Sequence, residues 1–470
     1  MITVSFEKRG NKGLCEYLYE SLKTQILDGT LRANEKLPSK RILSEHLGVS
    51  VITVQNAYSL LISEGYIYSI EKKGFFVTEL EAISSGKTSE NAAEQAFSTS
   101  EPQKKTDLLA DFSSNSTSYE KFPFALWAHT MRQVLNSGDE RLLQRTELKG
   151  VYELRKAIAK YLKQFRNMNI DPSQIIISAG TEILYSMAVQ FLGQNNKFAL
   201  ENPGYHKISN VLTLNGASFI PVDIDKYGFS VENLEKTDAN IIHVSPAHHF
   251  PTGIVMPVKR RQEILSWAQK AENRFIIEDD YDSEFRFNGK PLPTLQSADA
   301  KGKVIYINTF SKTLAPSFRI SYMVLPAHLT ENFEKSMYFY SCPVSSFEQY
   351  TLAEFIEQGF YEKHLIRMKN FYRNLRNSFI TLMESSSLSK ICKITEEESG
   401  LHFLLSVHTQ HSDEELSKRL LEQNINMPLL NKFYYTNLPE SEEKTFVLNY
   451  SGIKKERLTE IVRRLEKALL

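Results

Sequence analysis

The segment VIYINTFSKTLAPSFRISYMVL, residues 304–325, decides the fold of most of this chain. Its two ends read as short apolar strands, and the loop between them contains one lysine, Lys312. Other short strands are predicted around residues 174–178, 197–201, 218–222, 240–244 and 275–279, with helical stretches between them. This alternation predicts an α/β domain whose largely parallel sheet is covered by helices on both faces. Ligands bind such sheets at the carboxyl ends of the strands.

The loop around Lys312 has the residue types of a site for an aldehyde that carries a phosphate. Thr309 and Ser311 precede the lysine and Arg319 follows it. The amine can form a Schiff base, while hydroxyls and a guanidinium hold the phosphate. A surface lysine in a loop rich in Ser and Thr is the alternative, and the loop alone would favour it.

Three further motifs follow predicted strands. IIEDDYDSEF, residues 276–285, places Asp279 at a strand end, where a carboxylate can keep a pyridine nitrogen protonated, and Tyr281 could bond the phenolic oxygen of the same ring. SAGTEIL, residues 178–184, offers the backbone N–H groups of a strand-to-helix turn to a phosphate, namely those of Ala179, Gly180 and Thr181. ENPGY, residues 201–205, ends in Tyr205, which can stack on a flat ring. The alternative for Asp279 is an acid that caps a helix or lies on the surface, and the alternative for Tyr205 is a surface tyrosine.

In chain order, these motifs and SPAHHFPTG, residues 245–253, resemble the fold-type I aminotransferases along most of residues 110–470. The resemblance implies a smaller C-terminal α/β subdomain and pyridoxal 5'-phosphate (PLP) as cofactor. It implies a Schiff base on Lys312, with Asp279 at the pyridine nitrogen, Tyr281 at the ring oxygen, Tyr205 stacked on the ring, and Gly180, Thr181, Thr309, Ser311 and Arg319 around the phosphate.

Residues 1–80 have the pattern of a winged helix-turn-helix. An apolar stripe over residues 14–27 predicts one helix, and Ser39 and Ser50 are N-cap candidates for two more, which end at Leu47 and Ser63. Two short strands joined through residues 71–74 form the wing. LPSKRILSEHLGVS, residues 37–50, and AYSLLISEGYIYSIEKKGFFV, residues 57–77, resemble the GntR superfamily of DNA-binding proteins.

The residues expected to contact DNA fall into two groups. Side chains at the start of the second helix of the pair face base edges, and Gln and Asn there can pair with adenine. Basic residues of the first helix and of the wing suit phosphates. The predicted DNA contacts are Ser39, Lys40, Arg41, Ser50, Thr53, Gln55, Asn56, Lys72, Lys73 and Gly74. Val51 departs from the arginine that GntR proteins usually carry, which predicts a different operator or weaker binding. A helical protein-interaction module is the alternative.

Residues 81–107 are rich in Ser, Glu, Lys, Thr and Gln, and predict a flexible linker before an effector domain at residues 108–470. A winged helix ahead of an aminotransferase-like domain resembles the MocR/GabR family of bacterial transcription regulators. That resemblance implies a regulator in which the PLP domain senses an effector and the chain forms a head-to-tail homodimer on double-stranded DNA. PLP itself, GABA, taurine and a D-alanyl dipeptide are effectors within the family.

Several departures from the aminotransferase pattern indicate a sensor that is not an efficient enzyme. Phe250 replaces an asparagine that touches the ring, and His248 or His249 could substitute for it. Val447 lies where the arginine that grips the substrate carboxylate is expected, and Arg145 replaces a tyrosine that reaches the partner's phosphate. Compared with the GABA-sensing member of the family, the arginines expected to hold the effector appear as Lys207 and, after a small shift, Lys432, so effector binding is expected from these lysines and His249. No catalytic or metal-binding residue is predicted. A working aminotransferase and a binding protein without PLP are the alternatives.

The bulk composition fits a cytoplasmic protein of two or more domains. The chain has 470 residues, 41% hydrophobic and 24% charged, with a formal net charge of zero, so any affinity for DNA must come from a local patch. Three scattered cysteines predict neither a disulfide framework nor a metal site. Neither a signal peptide nor a membrane-spanning run is recognised.

Overall fold

The computed structural model describes residues 2–4, 6, 9–10, 12–79, 108–113, 116–118, 121–289, 292–436 and 441–470. The chain divides into two compact units, Met1–Lys104 and Lys105–Leu470. The predicted linker, residues 81–107, lies outside the described residues, so the boundaries 1–80, 81–107 and 108–470 stay predictions. Across the described ranges, no helix has both the length and the apolar character needed to cross a membrane.

The first unit is a three-helix fold with a wing. Its elements are α1 (Leu14–Leu27), α2 (Lys40–Leu47), α3 (Val51–Ser63), β1 (Ile67–Ile70) and β2 (Gly74–Val77). Both predicted caps are present, because Ser39 accepts a hydrogen bond from the Ile42 N–H and Ser50 accepts one from the Thr53 N–H. The two strands pair antiparallel, and all three helices and the wing share one apolar core.

The second unit contains a large sheet and a smaller one. Within the described residues its strands are β3 (Ala110–Asp111), β4 (Ile175–Ser178), β5 (Lys197–Asn202), β6 (Ser218–Asp225), β7 (Gly228–Phe229), β8 (Ile241–Val244), β9 (Phe275–Asp279), β10 (Val304–Thr309), β11 (Ser321–Val324), β12 (Cys392–Thr395), β13 (His402–His408), β14 (Ile425–Asn426) and β15 (Glu443–Asn449).

Helices separate most of these strands. They are α4 (Phe124–Asn136), α5 (Tyr152–Arg166), α6 (Thr181–Leu192), α7 (His206–Leu214), α8 (Val231–Glu235), α9 (Val258–Gln269), α10 (Leu295–Ala298), α11 (Ala327–Met337), α12 (Ser346–Glu357), α13 (Phe360–Glu384), α14 (Asp413–Glu422) and α15 (Leu458–Leu469). Short 3-10 turns lie at Glu140–Leu143, Pro172–Gln174, Ser283–Phe285, Pro316–Phe318, Ser387–Lys390, Leu430–Phe433 and Lys455–Arg457.

The large sheet has eight strands in the order β4-β11-β10-β9-β8-β5-β6-β7. The five central strands β10, β9, β8, β5 and β6 are mutually parallel, which confirms the predicted largely parallel sheet. Strand β11 runs antiparallel to both of its neighbours, and β7 runs antiparallel to β6. The carboxyl ends of the parallel strands therefore lie along one edge of the sheet.

Both faces of this sheet are buried under helices. In β4, Ile175 and Ile177 pack with α5, whereas Ile176 between them packs with α6 on the opposite face. Strands buried on both faces have near-continuous apolar sequences, as β4 does. Each fully buried Ile, Leu or Phe stabilises the fold by roughly 1.5–3 kcal/mol.

The smaller subdomain is built on the antiparallel sheet β12-β13-β15. Its core joins this sheet to α13, α14 and α15. The turn before β13 returns to the large sheet, because the Gly400 N–H donates to the Phe285 carbonyl at 3.1 Å. This contact brings the start of β13 close to the end of β9.

Candidate functional site

One cavity of about 190 Å³ opens at the carboxyl edge of the large sheet. It is lined by side chains that follow β4, β5, β8, β9 and β10, which the parallel topology brings to one edge. The lining residues are Thr181, Glu182, Leu200, Glu201, Gly204, Tyr205, Lys207, Ile208, His243, Ser245, Phe250, Asp279, Tyr281, Thr309, Ser311, Lys312, Pro316, Arg319 and Tyr435.

One end of the cavity has the features of an anion site. Gly180 precedes α6 with φ 105°, and a Cβ atom there would overlap the guanidinium of Arg319. The first N–H groups of a helix lack partners within it and favour an anion. The buried hydroxyl oxygen of Ser311 has no hydrogen-bond partner among the described residues. Ala179, half-buried, lies in the same turn, and Thr309 accepts a hydrogen bond from the Ser311 N–H at 3.1 Å.

Arg319 and Lys207 share one carboxylate at the mouth of this anion site. Nη2 of Arg319 lies 2.6 Å from Oε2 of Glu182, and Lys207 pairs with Oε1 of the same residue. Burial alone would raise the pKa of Glu182, but its bonds to the two cations lower that pKa to about 2. Glu182 therefore stays anionic at neutral pH and holds both cations beside the cavity.

Lys312 and Asp279 face the cavity from adjacent strands. Burial lowers the pKa of Lys312 to about 8, and the nearby carboxylate of Asp282 opposes that shift. Asp279 is buried, and its Oδ1 atom has no hydrogen-bond partner in the described part of the chain. Its Oδ2 atom lies 3.6 Å from Nε2 of His243, which in turn bonds the Tyr185 hydroxyl at 2.9 Å. Asp279 thus offers a carboxylate oxygen to a ligand.

Behind Tyr281 lies a buried cluster of His248, Asp282 and His402. Nδ1 of His248 lies 2.9 Å from Oδ2 of Asp282 and 3.2 Å from the Tyr281 hydroxyl. The rings of His248 and His402 have centroids 4.3 Å apart. One ligand atom from each of the three residues could approach a cation, since these atoms lie within 4.8 Å of one another. The short His248–Asp282 contact is accounted for by hydrogen bonding alone.

The residues expected to bind an effector are not all brought together. Lys207 lines the cavity, whereas Lys432 lines a separate surface depression with Asp413 and Glu422. His249 is buried behind the cavity wall, where Nδ1 bonds Thr252 at 2.6 Å and burial lowers its pKa to about 3. Neither Lys432 nor His249 lines the cavity, so of these three residues only Lys207 is placed to meet a ligand there.

A segment of the smaller subdomain supplies Tyr435, one of several cavity residues that sequence reasoning missed, among them Glu182 and His243. Tyr435 lines the cavity, and its hydroxyl oxygen is buried without a partner among the described residues. The segment is tied to the ENPGY turn, because the Gly204 N–H donates to the Phe433 carbonyl and the Tyr435 N–H donates to Asn202, both at 3.0 Å. Irregular backbone of this kind has no periodicity, so the sequence does not indicate that Tyr435, and not Lys432, lines the cavity.

Other cavity residues have definite contacts. The rings of Tyr205 and Phe250 meet edge to face at 5.5 Å. Burial raises the pKa of Glu201 well above its usual value, and its Oε2 atom accepts a hydrogen bond from the Ser245 N–H. Val447 is buried in β15 opposite Leu404 and does not line the cavity.

In the first unit, the residues expected at DNA lie on α2, α3 and the wing. Ser50, Gln55 and Asn56 are exposed at the start of α3, and Thr53 is half-buried there. On α2, Ser39 and Arg41 are exposed, and Lys40 places its ammonium 5.3 Å from the centre of the Phe75 ring. Lys72 and Lys73 are exposed at the wing tip, followed by Gly74 with φ 113°.

Comparison with known proteins supports this two-part organisation. Residues 14–77 match the gntR family of bacterial regulatory proteins, and residues 109–465 match aminotransferase class I and II. The chain is 34% identical over 459 residues to YdeL of Bacillus subtilis strain 168, an uncharacterised HTH-type transcriptional regulator, which covers 97% of this chain and 96% of YdeL. It is 31% identical over 464 residues to MocR of Rhizobium meliloti, a probable rhizopine catabolism regulatory protein. That alignment covers 96% of this chain and 93% of MocR.

The second unit also resembles solved enzymes. The crystal structure of Pyrococcus horikoshii kynurenine aminotransferase, a complex with PMP, matches with a TM-score of 0.68 at 22% identity, over 78% of this chain and 91% of that one. At this identity the likeness concerns the fold. A gntR-type winged helix joined to an aminotransferase-like domain defines a class of transcription regulator. The chain belongs to the MocR/GabR family of bacterial transcription regulators.

The depressed pKa of Lys312 is directly measurable. In full-length protein, treated with hydroxylamine to remove bound carbonyl compounds, acetylation of Lys312 should follow an apparent pKa of about 8 instead of the ordinary 10.5. Because Asp282 raises this pKa, Asp282→Asn should lower it further. Mass spectrometry of the Lys312 peptide across a pH series gives the rates. A midpoint near the ordinary value would contradict a buried amine.

Proposed function

We propose that the protein is a PLP-dependent transcription regulator whose aminotransferase-like domain senses a small effector. The observation that carries the proposal is the placement of Lys312, Asp279, Tyr281 and the anion site in one cavity, on a chain that begins with a winged helix. Since its target is DNA, we place its action in the cytoplasm.

The residues present fit PLP. The cofactor has a phosphate, a pyridine nitrogen and a phenolic oxygen, and the cavity has complementary groups for each. The Ser311 hydroxyl, which has no partner among the described residues, suits the phosphate, as do Arg319 and the α6 N-terminus. The Oδ1 atom of Asp279, for which the described part of the chain offers no hydrogen-bond partner, suits a protonated pyridine nitrogen. Tyr281 suits the phenolic oxygen, and Tyr205 provides an aromatic face.

When bound, PLP supplies an aldehyde that condenses with amines and a pyridinium ring that withdraws electrons. Lys312 would hold the aldehyde, and its lowered pKa of about 8 leaves more neutral amine than an ordinary lysine has at neutral pH. Arg319 and the turn at Ala179–Thr181 would hold the phosphate. Thr309, which bonds the Ser311 N–H, would fix the loop that carries the lysine.

The effector is proposed to approach from the side of Lys207. This lysine is half exposed and paired with Glu182, so an anionic effector must compete with that carboxylate. An ammonium fixes the orientation of a carboxylate less well than a guanidinium does. An amino acid or a related amine fits the cavity chemistry, whereas His249 and Lys432 lie outside the cavity lining.

A working aminotransferase is the second candidate, favoured by the complete set of Lys312, Asp279 and Tyr281. Transamination also needs a substrate held so that one Cα–H bond stands perpendicular to the ring. Val447, where the gripping arginine is expected, is buried away from the cavity. We therefore propose that the protein binds its effector without turning it over efficiently.

We also propose that two chains act together on DNA, in a head-to-tail homodimer. Large apolar side chains are exposed on the second unit, as a subunit interface requires: Tyr338 is 78% exposed, Leu143 83% and Phe124 67%. Two winged helices would then read two half-sites. The two-fold symmetry of a dimer predicts a palindromic operator.

The cofactor assignment predicts that purified protein is yellow after incubation with PLP. Lys312→Ala should lose the visible absorption band and the borohydride-fixed mass addition, because Lys312 is the amine proposed to hold the aldehyde. Lys207→Ala, which removes the other cavity lysine, is the matched control and should keep both signals. A fixed adduct that persists in Lys312→Ala would overturn the assignment of the lysine.

The sensor assignment predicts at most slow, incomplete conversion of amino acids. A screen of amino acids with keto acids should yield no sustained formation of product, although spectral changes on binding are expected. Turnover is measured by product chromatography over many equivalents of enzyme. Repeated cycles at rates near about 10 per second, the usual median for enzymes, would favour the aminotransferase.

DNA binding is predicted to weaken steeply with salt, because phosphate contacts release counterions. Changing both Lys72 and Lys73 to Ala should reduce the slope of log affinity against log salt by up to about 2. Lys12→Ala is the control, since its ammonium is paired with Glu20 at 2.6 Å. The readout is fluorescence anisotropy on the duplex upstream of the gene, with two chains expected per duplex. An unchanged slope in the double variant would show that the wing lysines do not contact DNA phosphates.

A further inference from the structure

Tyr281 is backed by a buried histidine–aspartate pair. His248 lies in the loop after β8 and Asp282 follows the end of β9, and each is only 2% exposed. Nδ1 of His248 lies 3.1 Å and 2.9 Å from the two carboxylate oxygens of Asp282. The same nitrogen lies 3.2 Å from the Tyr281 hydroxyl. The three residues therefore form one hydrogen-bonded chain that ends in the cavity wall.

The contacts decide where the imidazole proton lies. A carboxylate accepts hydrogen bonds and donates none, so Nδ1 of His248 must carry the hydrogen that faces Asp282. The other ring nitrogen, Nε2, is buried without a partner in the described part of the chain. A second N–H at Nε2 would be a buried donor left unpaired, which is costly. These contacts therefore place a hydrogen on Nδ1 of His248.

This protonation state fixes the direction of the Tyr281 hydroxyl. Because Nδ1 carries a hydrogen, it cannot accept one from Tyr281; the Tyr281 oxygen shares the Nδ1 hydrogen with the nearer Asp282 carboxylate, and the tyrosine's own hydrogen points elsewhere. Burial, and the carboxylates of Asp282 and Asp279, raise the pKa of Tyr281 well above its usual value, so the phenol keeps that hydrogen. The cavity, which Tyr281 lines, is where a ligand acceptor would meet it.

We propose that His248, oriented by Asp282, is a positioning residue that turns the hydroxyl hydrogen of Tyr281 into the cofactor cavity. The inference rests on the proposed function, since the acceptor would be the phenolic oxygen of PLP. His248 does not line the cavity and would act through Tyr281. Loss of His248 should therefore resemble loss of the Tyr281 hydroxyl.

The smaller subdomain holds this chain in place. The Leu401 N–H donates to Oδ2 of Asp282 at 3.3 Å, and the Tyr450 hydroxyl donates to the Gly400 carbonyl at 2.7 Å. Gly400 has φ 69°, and a Cβ atom there would overlap the His248 ring. The position thus requires glycine on two grounds, backbone conformation and lack of space.

The other titratable groups around His248 come from every element packed against it. His402 from β13 stacks on its ring, and burial holds the pKa of His402 well below its usual value, so that ring is neutral. Glu396, whose pKa is raised by burial, approaches from the segment before β13. Lys312 and His249 complete the set. Nδ1 of His248 itself makes its hydrogen bonds to Asp282 and Tyr281.

The test is a pH titration of the visible absorption band of PLP-loaded, full-length protein. A donor to the phenolic oxygen stabilises its anionic form and lowers the midpoint, so Tyr281→Phe and His248→Leu should each raise it by roughly 0.5–1 unit. The double variant should show no further increase, because both changes remove the same hydrogen bond. His248→Asn, whose amide can donate from near the Nδ1 position, should restore the midpoint. His408→Leu, at an exposed histidine of β13, is the control.

Two results overturn the proposal: a wild-type midpoint in His248→Leu, or shifts of the two single variants that add in the double variant. If His248→Leu does not fold, ¹⁵N NMR of histidine-labelled wild-type protein without PLP decides the matter. It should report hydrogen on Nδ1 of His248, and hydrogen on Nε2 alone refutes the proposal. A wild-type protein that acquires no visible band would instead refute the proposed function, and the NMR result would still test the hydrogen position.

Discussion

The buried ion pair between Arg166 and Asp280 is the interaction on which the cofactor-side geometry depends. Nη2 of Arg166, at the end of α5, lies 2.5 Å from Oδ2 of Asp280, and both side chains are almost fully buried. The Tyr306 hydroxyl of β10 also donates to this carboxylate at 2.6 Å. Alternation along the strand end places Asp280 on the side away from the cavity, so Asp279 and Tyr281 face it. Fixing Asp280 therefore fixes its two neighbours.

Asp280 is flanked by two acidic residues with buried carboxyl groups, Glu278 and Glu284. Such a group of buried acids is stable only when its members are neutralised or hydrogen-bonded. Burial and the charge of Asp280 raise the pKa of Glu278 to about 7, although two backbone N–H groups at the start of α10 donate to its carboxylate. The pKa of Glu284 is raised to about 7 for the same two reasons. Removing one partner of a buried ion pair typically costs about 3–5 kcal/mol, because an uncompensated charge is left behind. Stability and site geometry are thus set by the same residues.

Sequence reasoning located those parts of the site that follow regular strands. Lys312, Asp279 and Thr181 are predicted because each lies at the end of an apolar strand or within three residues of it, and parallel strands bring such positions to one edge. The antiparallel direction of β11 was not foreseen, since strand direction leaves no periodicity in the sequence. Tyr435 was missed for a related reason: it lies on irregular backbone where only tertiary contacts decide which side chain faces inward.

The His248–Asp282 pair marks a different limit of sequence reasoning. The two residues are 34 positions apart, and the glycine that makes room for the histidine ring lies in another subdomain. SPAHHFPTG contains two histidines. Packing alone decides that His248 bonds Tyr281 whereas His249 lies behind the cavity wall.

The arrangement of cations and carboxylate at the cavity mouth bears on how a sensor differs from an enzyme on the same fold. Glu182 pairs with both Arg319 and Lys207, so the proposed phosphate site and the proposed effector site share one counter-charge. A phosphate that engages Arg319 weakens its hold on Glu182 and leaves that carboxylate to Lys207, where an anionic effector must displace it. Each ligand therefore changes the electrostatic environment of the other. Coupling of this kind would let occupancy of one proposed site shift the population that binds at the other, which is the response that the proposed sensing function needs.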